Sequence, residues 1–289
     1  MKVTEKAYAK LNLTLEVGEK RPDGYHELRS VMTSAALWDT ILVEPLAQNG
    51  ITVECDRSDV PTDDSNLAVK AAAAFFVALR EGNPTDIRPR GCHIRLQKQI
   101  PMEAGLGGGS SDAAAVLRAL RTLYAPAMSL DELETIAARV GSDVPYCVRG
   151  GTALCEGRGE KCQPLSSMPR CWYIIAKPRE AFSTAKMYGE IDAQKAKSTP
   201  TTDVLIEALK RGDLTQIAAN MSNTFQKVVP EESEVWEIQR KLLECGALNA
   251  MMSGSGSAVF GIFDTPTAAK AAYEAMQRDD WQIFLAESV

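Results

Sequence analysis

From Ala9 to Val17 the chain alternates. Ala9, Leu11, Leu13, Leu15 and Val17 are small or apolar, and Lys10, Asn12, Thr14 and Glu16 are polar. A period of two predicts extended chain over residues 3–17, with one buried face and one polar face. A turn follows at Arg21-Pro22-Asp23-Gly24. Residues 41–43, 51–55 and 92–97 read as further strands. Residues 67–81 are alanine-rich and helical, with Ser65 or Asn66 as N-cap and Gly82 just past the end. In 113–124, Val116, Leu117, Leu120 and Leu123 fall on one helical face. Ser129 and Glu132 have capping-box spacing for a helix carrying Leu130, Leu133, Ile136 and Val140 and stopped by Gly141. Gly141-Ser142-Asp143-Val144-Pro145 is then a tight connection. Residues 154–162 read as a hairpin or loop, 172–176 as a strand and 193–202 as a polar surface loop. The last third is mostly helical, with Pro230 fitting the N1 position of a helix closed by Gly246. A strand at 258–263, a helix at 265–277 and a strand at 283–286 end the pattern. Strands and helices mixed without strict βαβ alternation predict an α+β fold.

Length extends this picture. The 289 residues suffice for two domains of ~100–200 residues, each with its own core. With 45% hydrophobic and 24% charged residues, the chain is not intrinsically disordered. The balance of 32 Lys+Arg against 38 Asp+Glu gives a net charge of -6. Binding of nucleic acid, which rests on a basic surface, is therefore not expected. Seven cysteines, an odd number without C-x-x-C spacing, argue against a disulfide framework and a four-cysteine zinc site. Only His26 and His93 could supply imidazole ligands. Met1-Lys2-Val3-Thr4-Glu5-Lys6 carries charge where a signal peptide needs an apolar region. No apolar run approaches the ~18 residues of a membrane span. A cytoplasmic protein with no membrane partner is expected.

The most informative stretch is Pro101-Met102-Glu103-Ala104-Gly105-Leu106-Gly107-Gly108-Gly109-Ser110-Ser111-Asp112. Glycines here let the backbone take φ > 0 and approach a ligand closely. A helix N-terminus just beyond offers unpaired N–H groups and the positive end of its dipole, which suits phosphate oxygens. Gly/Ser composition alone would also suit a flexible linker. A strand shortly upstream and a periodic helix immediately downstream favour the phosphate reading. No Lys follows the glycines as a P-loop requires, and Ser110 stands where a dinucleotide fingerprint has its third glycine. The protein-kinase D-F-G and H-R-D motifs do not occur.

What remains, P-x-x-x-G-L-G-G-G-S-S-x-A-A, resembles the phosphate loop of the GHMP kinase superfamily. Met252-Ser253-Gly254-Ser255-Gly256-Ser257 is similar to its second glycine loop. Ala9-Lys10-Leu11-Asn12-Leu13, Arg21-Pro22-Asp23-Gly24-Tyr25-His26 and Gly141-Ser142-Asp143-Val144-Pro145 resemble, more narrowly, the family acting on 4-(cytidine 5'-diphospho)-2-C-methyl-D-erythritol. That resemblance implies a two-domain GHMP kinase fold with the active site in the interdomain cleft, divided as 1–160 and 161–289. It implies ATP-dependent phosphorylation of the 2-hydroxyl of that small-molecule substrate, in the non-mevalonate route to isoprenoid precursors.

The same resemblance implies site roles, several of them beside a plainer alternative. Asp143 would be the general base, although an N-cap is an equally good use of an Asp before Val144-Pro145. Lys10 would be its cationic partner, although a strand lysine is more often just solvated. Asn12 shares the Lys10 face. Tyr25 would stack on the cytosine and His26 would bond its edge, with Tyr188 as second stacking ring, Thr184 beside it and Gly254 and Gly256 lining the substrate site. Pro101, Gly105, Leu106, Gly107, Gly108, Gly109, Ser110 and Ser111 would cradle the donor phosphates. Asn66 and Lys98 would lie near adenine and ribose, or be an N-cap and a strand-end charge. Mg2+ would arrive with ATP on phosphate oxygens. No side chain is assigned to it, since residues 113–123 lack the Glu some superfamily members use and Asp112 suits a first-turn dipole partner. Monomer and homodimer both stay open.

Overall fold

The alternating run forms β1 (Val3–Asn12) and β2 (Thr14–Lys20), separated by a bend at Leu13. Its burial departs from the pattern. Lys10, Asn12 and Thr14 are as buried as Leu11 and Leu13, so the expected polar outer face does not exist there. Buried polar groups need partners, and these side chains bond one another or nearby backbone. Next comes β3 (His26–Leu46), a strand of 21 residues of which only the 41–43 segment was legible as apolar.

The computed structural model describes residues 2–85 and 90–289, which form two units. The first draws its described residues from 1–9, 38–100 and 107–150, and the second from 10–37, 101–106 and 151–289. The stretches interleave because β1 and β3 each supply residues to both units, and residues 101–106 join the second although their neighbours on either side belong to the first.

In the first unit β4 (Gly50–Cys55) lies parallel to β5 (Gly91–Gln97). β5 also runs antiparallel to the second half of β3, from Thr40 opposite Gln97 to Leu46 opposite Gly91. Helices α1 (Leu67–Gly82), α2 (Gly108–Tyr124), α3 (Leu130–Ala137) and α4 (Val144–Arg149) pack on one another. Phe75, Ile94, Leu117 and Leu120 are fully buried in this unit. Ser129 and Glu132 form the expected capping box on α3. α2 begins at Gly108, earlier than the periodicity indicated, because glycine has low helix propensity and its run reads as loop.

The second unit has two sheets. In one, β2, the first half of β3, β6 (Thr152–Gly157) and β7 (Lys161–Pro164) pair antiparallel in that order, and the β6–β7 hairpin resolves the 154–162 reading. The other has the order β10 (Asn249–Met252), β11 (Val259–Phe263), β8 (Trp172–Lys177), β12 (Gln282–Glu287), all antiparallel. The short β9 (Ser222–Asn223) lies parallel beside β2. Helices α5 (Thr184–Gln194), α6 (Thr202–Arg211), α7 (Leu214–Ala219), α8 (Glu234–Glu244) and α9 (Pro266–Ala275) complete the unit. Its core joins Ile174, Val235, Ile238, Leu242, Phe263 and Trp281.

Pro230 is not at N1. Ser233 caps α8, its side chain accepting from Val235 N at 3.2 Å, because a hydroxyl satisfies an open helical N–H and a proline cannot. The 193–202 loop is shorter than expected, since α5 runs to Gln194 and α6 starts at Thr202. Among the described residues the cysteines form no disulfide, and no helix is long and apolar enough to cross a membrane.

Candidate active site

The glycine loop ends in an uncapped helix. Gly107, at φ 70, is the N-cap of α2 and provides no side-chain hydrogen bond. The first helical N–H groups of α2 therefore lack intrahelical acceptors and point toward the loop. Ser111 N–H is taken by Gly107 O at 2.8 Å. The Ser111 hydroxyl turns inward to Tyr8 O, so this serine anchors the helix start. A Cβ on Gly109 would meet Leu67 Cδ1 at 3.5 Å, which places the start of α1 beside the loop. There Asn66 serves as the N-cap of α1. Its Oδ1 accepts from Ala68 N at 2.8 Å and its Nδ2 donates to Pro61 O at 2.6 Å.

Lys98 lies beneath the same helix end, its Nζ 3.6 Å from where a Cβ on Gly108 would be. It is no solvated strand-end charge, for its side chain is only 4% exposed. Its ammonium donates to Asp39 Oδ2 and, at 2.6 Å, to Asp112 Oδ2. Asp39 Oδ1 also accepts the N–H groups of Gln99 at 2.5 Å and Ile100 at 2.8 Å. Burial works to lower the Lys98 pKa, but the two carboxylates more than offset it and the net direction is upward. Burial raises Asp112 to about 7, against the pull of Lys98 and with the push of Asp39. Asp112 Oδ1 is buried without a hydrogen-bond partner.

In the second unit the end of β1 meets both glycine turns. Lys10 N–H donates to Leu106 O at 2.9 Å. Lys10 Nζ donates to Asn12 Oδ1 at 2.5 Å, Asn12 Nδ2 to Ser30 Oγ at 2.8 Å, and Ser30 Oγ to Thr14 O at 2.6 Å. This chain of bonds fixes the amide of Asn12 with its oxygen toward the ammonium. Gly105, at φ +72, passes so close to the second turn that a Cβ would sit 1.9 Å from Ser253 O. Ser253 Oγ donates to Gly105 O at 3.0 Å. A Cβ on Gly254 would lie 3.0 Å from Gly105 O and 3.0 Å from Lys10 Nζ. Asn223 Nδ2 holds this second turn by donating to Met252 O and Gly254 O, each at 2.8 Å. On Gly256 a Cβ would meet Met252 Sδ at 2.6 Å.

Tyr25, His26 and Tyr188 all belong to the second unit. Tyr25 is 52% exposed, and the Arg158 guanidinium of the β6–β7 hairpin stands 4.9 Å from its ring centroid. His26 and Tyr188 stack, with centroids 4.9 Å apart and planes at 10°. The Tyr188 ring also meets Phe225 edge-on at 4.9 Å. Thr184 bonds Ser255 through their hydroxyls at 2.8 Å. Asp143 occupies the N-cap position of α4 and makes no side-chain capping hydrogen bond there.

Within the first unit the structure thus brings together Asn66, Lys98 and Gly107–Ser111. Within the second it brings together Lys10, Asn12, Gly105, Leu106 and Gly254, and separately His26 with Tyr188. Pro101 is buried and Gly109 and Ser110 lie in the first turn of α2. Sequence reasoning missed Asp39, Asp192, Asn223 and Ser253. Two of them carried a readable signal: Ser253 lies inside the second glycine motif, and Asp192 stands four residues after Tyr188. Among the described residues no group of three or more His, Cys, Asp or Glu side chains could hold a metal ion.

Residues 66–151 match the family model for the GHMP kinases N terminal domain, and residues 205–281 match that for GHMP kinases C terminal. A 4-diphosphocytidyl-2-C-methyl-D-erythritol kinase of Clostridium kluyveri is 40% identical over 285 residues, covering 98% of this chain and 99% of its own. One from Exiguobacterium sibiricum is 43% identical over 278 residues, covering 96% and 94%. A crystal structure of 4-(cytidine 5'-diphospho)-2C-methyl-D-erythritol kinase superposes with a TM-score of 0.80 at 32% identity, covering 99% of each chain.

Proposed function

The chain belongs to the 4-diphosphocytidyl-2-C-methyl-D-erythritol kinase family of the GHMP kinases, and from that premise we propose the roles of its residues in phosphorylating the 2-hydroxyl of 4-(cytidine 5'-diphospho)-2-C-methyl-D-erythritol. GHMP kinases use ATP as phosphoryl donor. The observation that carries the reading is the Lys10 ammonium, steered by Asn12 and standing against the Gly254 turn.

Phosphoryl transfer asks of a protein mainly alignment and charge stabilisation. The backbone of Gly105–Ser110, with the open N–H groups of α2, receives the ATP phosphates. Ser111 anchors that helix, and Asn66 and Lys98 stand on the nucleoside side. Asp143, unused as a cap, takes the proton of the acceptor hydroxyl as its oxygen attacks the γ-phosphorus. Lys10 stabilises the alkoxide character that develops on that oxygen. Tyr25 and Tyr188 offer ring faces to the base and His26 offers an edge, with Thr184 and Gly256 nearby.

Mg2+, bound together with ATP, would supply charge neutralisation between nucleotide and nucleophile. Asp39 and Asp112 are engaged by Lys98, and among the described residues no carboxylate cluster could hold the ion, so it would arrive with ATP on phosphate oxygens.

The test is a coupled ADP-release assay with the cytidine acceptor, mevalonate and homoserine offered in parallel. Turnover with the cytidine acceptor alone is expected. Equal turnover of mevalonate or homoserine, or none with the cytidine acceptor, would overturn the reading.

A further inference from the structure

His26 opens β3 with its side chain only 5% exposed, and two residues of α5 grip it. Tyr188 and Asp192 are four residues apart and so share one face of that helix. Tyr188 covers a face of the imidazole. Asp192 takes its rim, with Oδ1 2.8 Å from Nε2. Lys20 Nζ stands 3.2 Å from the other oxygen, Asp192 Oδ2. The hydrogen bond from His26, then that from Lys20, hold the Asp192 carboxyl below its usual range.

An ionised carboxylate only accepts hydrogen bonds. In the neutral imidazole, Nε2 therefore carries the proton and Nδ1 presents a lone pair. Among the described residues Nδ1 has no hydrogen-bond partner, whereas Nε2 has Asp192.

We propose that Asp192 is the positioning residue that fixes the His26 tautomer, so that Nδ1 accepts from the exocyclic amine of cytosine and the pair discriminates against uracil. This rests on the reading that Tyr25, His26 and Tyr188 bind the base. Cytosine carries an amine donor where uracil carries a carbonyl acceptor. Against Nδ1 the amine completes a hydrogen bond, while the carbonyl sets two acceptors face to face. Ring stacking cannot make this distinction, because every base has a π-face.

The experiment compares wild type, Asp192→Ala and Asp192→Asn with the cytidine diphosphate acceptor and its uridine counterpart. It also records the tautomer of His26 in each protein by 15N NMR, which is tractable because the chain has two histidines. Wild type is expected to show the Nε2–H tautomer and to prefer cytidine. Asp192→Ala should lose that preference by about tenfold or more, through KM for the cytidine acceptor and with little change in kcat. Asp192→Asn should restore most of it, since the amide oxygen still accepts from Nε2. An Nδ1–H tautomer in wild type, or undiminished selectivity in Asp192→Ala, overturns the proposal while leaving the base site intact. A wild type that phosphorylates neither acceptor overturns the base site and this inference with it.

Discussion

Lys10 donates its ammonium hydrogen to Asn12 Oδ1 at 2.5 Å, two residues along one strand and both buried. The spacing makes the contact possible, since residues i and i+2 share a strand face. The partner on the far side of the amide, Ser30, prevents Asn12 from turning away.

Asn12→Ala removes the acceptor that steers Lys10 and strips Ser30 of a donor. A stability loss of about 1–3 kcal/mol in urea unfolding is expected. In steady-state kinetics kcat should fall on the order of tenfold, with KM for ATP less affected. Wild-type kcat in a folded variant would mean that Asn12 does not position the ammonium.

Gly105→Ala should damage the nucleotide site far more than its backbone angle alone accounts for. Its Cβ would fall 1.9 Å from Ser253 O, which forces the two glycine turns apart. Gly212, at φ +65 with nothing within 4 Å, is the control. Gly212→Ala should cost only the strain of a left-handed residue, about 1–2 kcal/mol. Gly105→Ala should in addition weaken ATP binding in calorimetry by more than about tenfold, the loss expected when phosphate-binding N–H groups are displaced. Matching behaviour of the two variants would count against the close-approach argument.

Tyr25→Ala should raise KM for the cytidine acceptor by an amount equivalent to about 1–3 kcal/mol and leave KM for ATP near wild type. The ring is exposed and backed by Arg158, and the proposed reading assigns it to the cytidine acceptor alone. Parallel increases in both KM values would refute its assignment to the base.

Stability should depend on pH through Asp112. Its folded pKa is raised to about 7, first by burial. A raised carboxyl is protonated in the folded state well before the unfolded chain takes up the proton. The stability it contributes is complete below the ordinary carboxylate range and is lost as pH rises through about 7. Asp112→Asn keeps the neutral form at every pH. Its Tm should therefore rise relative to wild type between pH 5 and pH 8, on the order of a few degrees. A gap that is constant with pH, or that narrows, would show that Lys98 holds Asp112 ionised throughout.

Local chemistry decided what could be read from the chain. Helices with periodic apolar faces and side-chain caps, such as α1 with Asn66 and α3 with Ser129 and Glu132, carry their signals within a few residues. β3 does not, because its 21 residues supply both units and its Ser, Thr and Met positions break any single period. The glycine loop was legible from composition and placement as a tight turn leading into a helix N-terminus. Gly105 was legible as one of the loop glycines but not as an obligatory one, since the Ser253 carbonyl it approaches is 148 residues away. Asp39 and Asn223 stayed hidden for the same reason, their partners being distant in sequence and their own surroundings unremarkable. The burial of Lys10 reversed the expectation that a polar alternation marks a wet face, and the reversal comes from side chains that satisfy one another.

The central claim is that Asp143 takes the proton of the acceptor hydroxyl. The direct measurement is kcat of Asp143→Asn with the cytidine acceptor, taken together with ATP affinity by calorimetry. A general base contributes ~10²–10⁴-fold, so kcat should drop by that much while ATP binds as in wild type. A folded variant that keeps more than about a tenth of the wild-type rate would contradict the assignment.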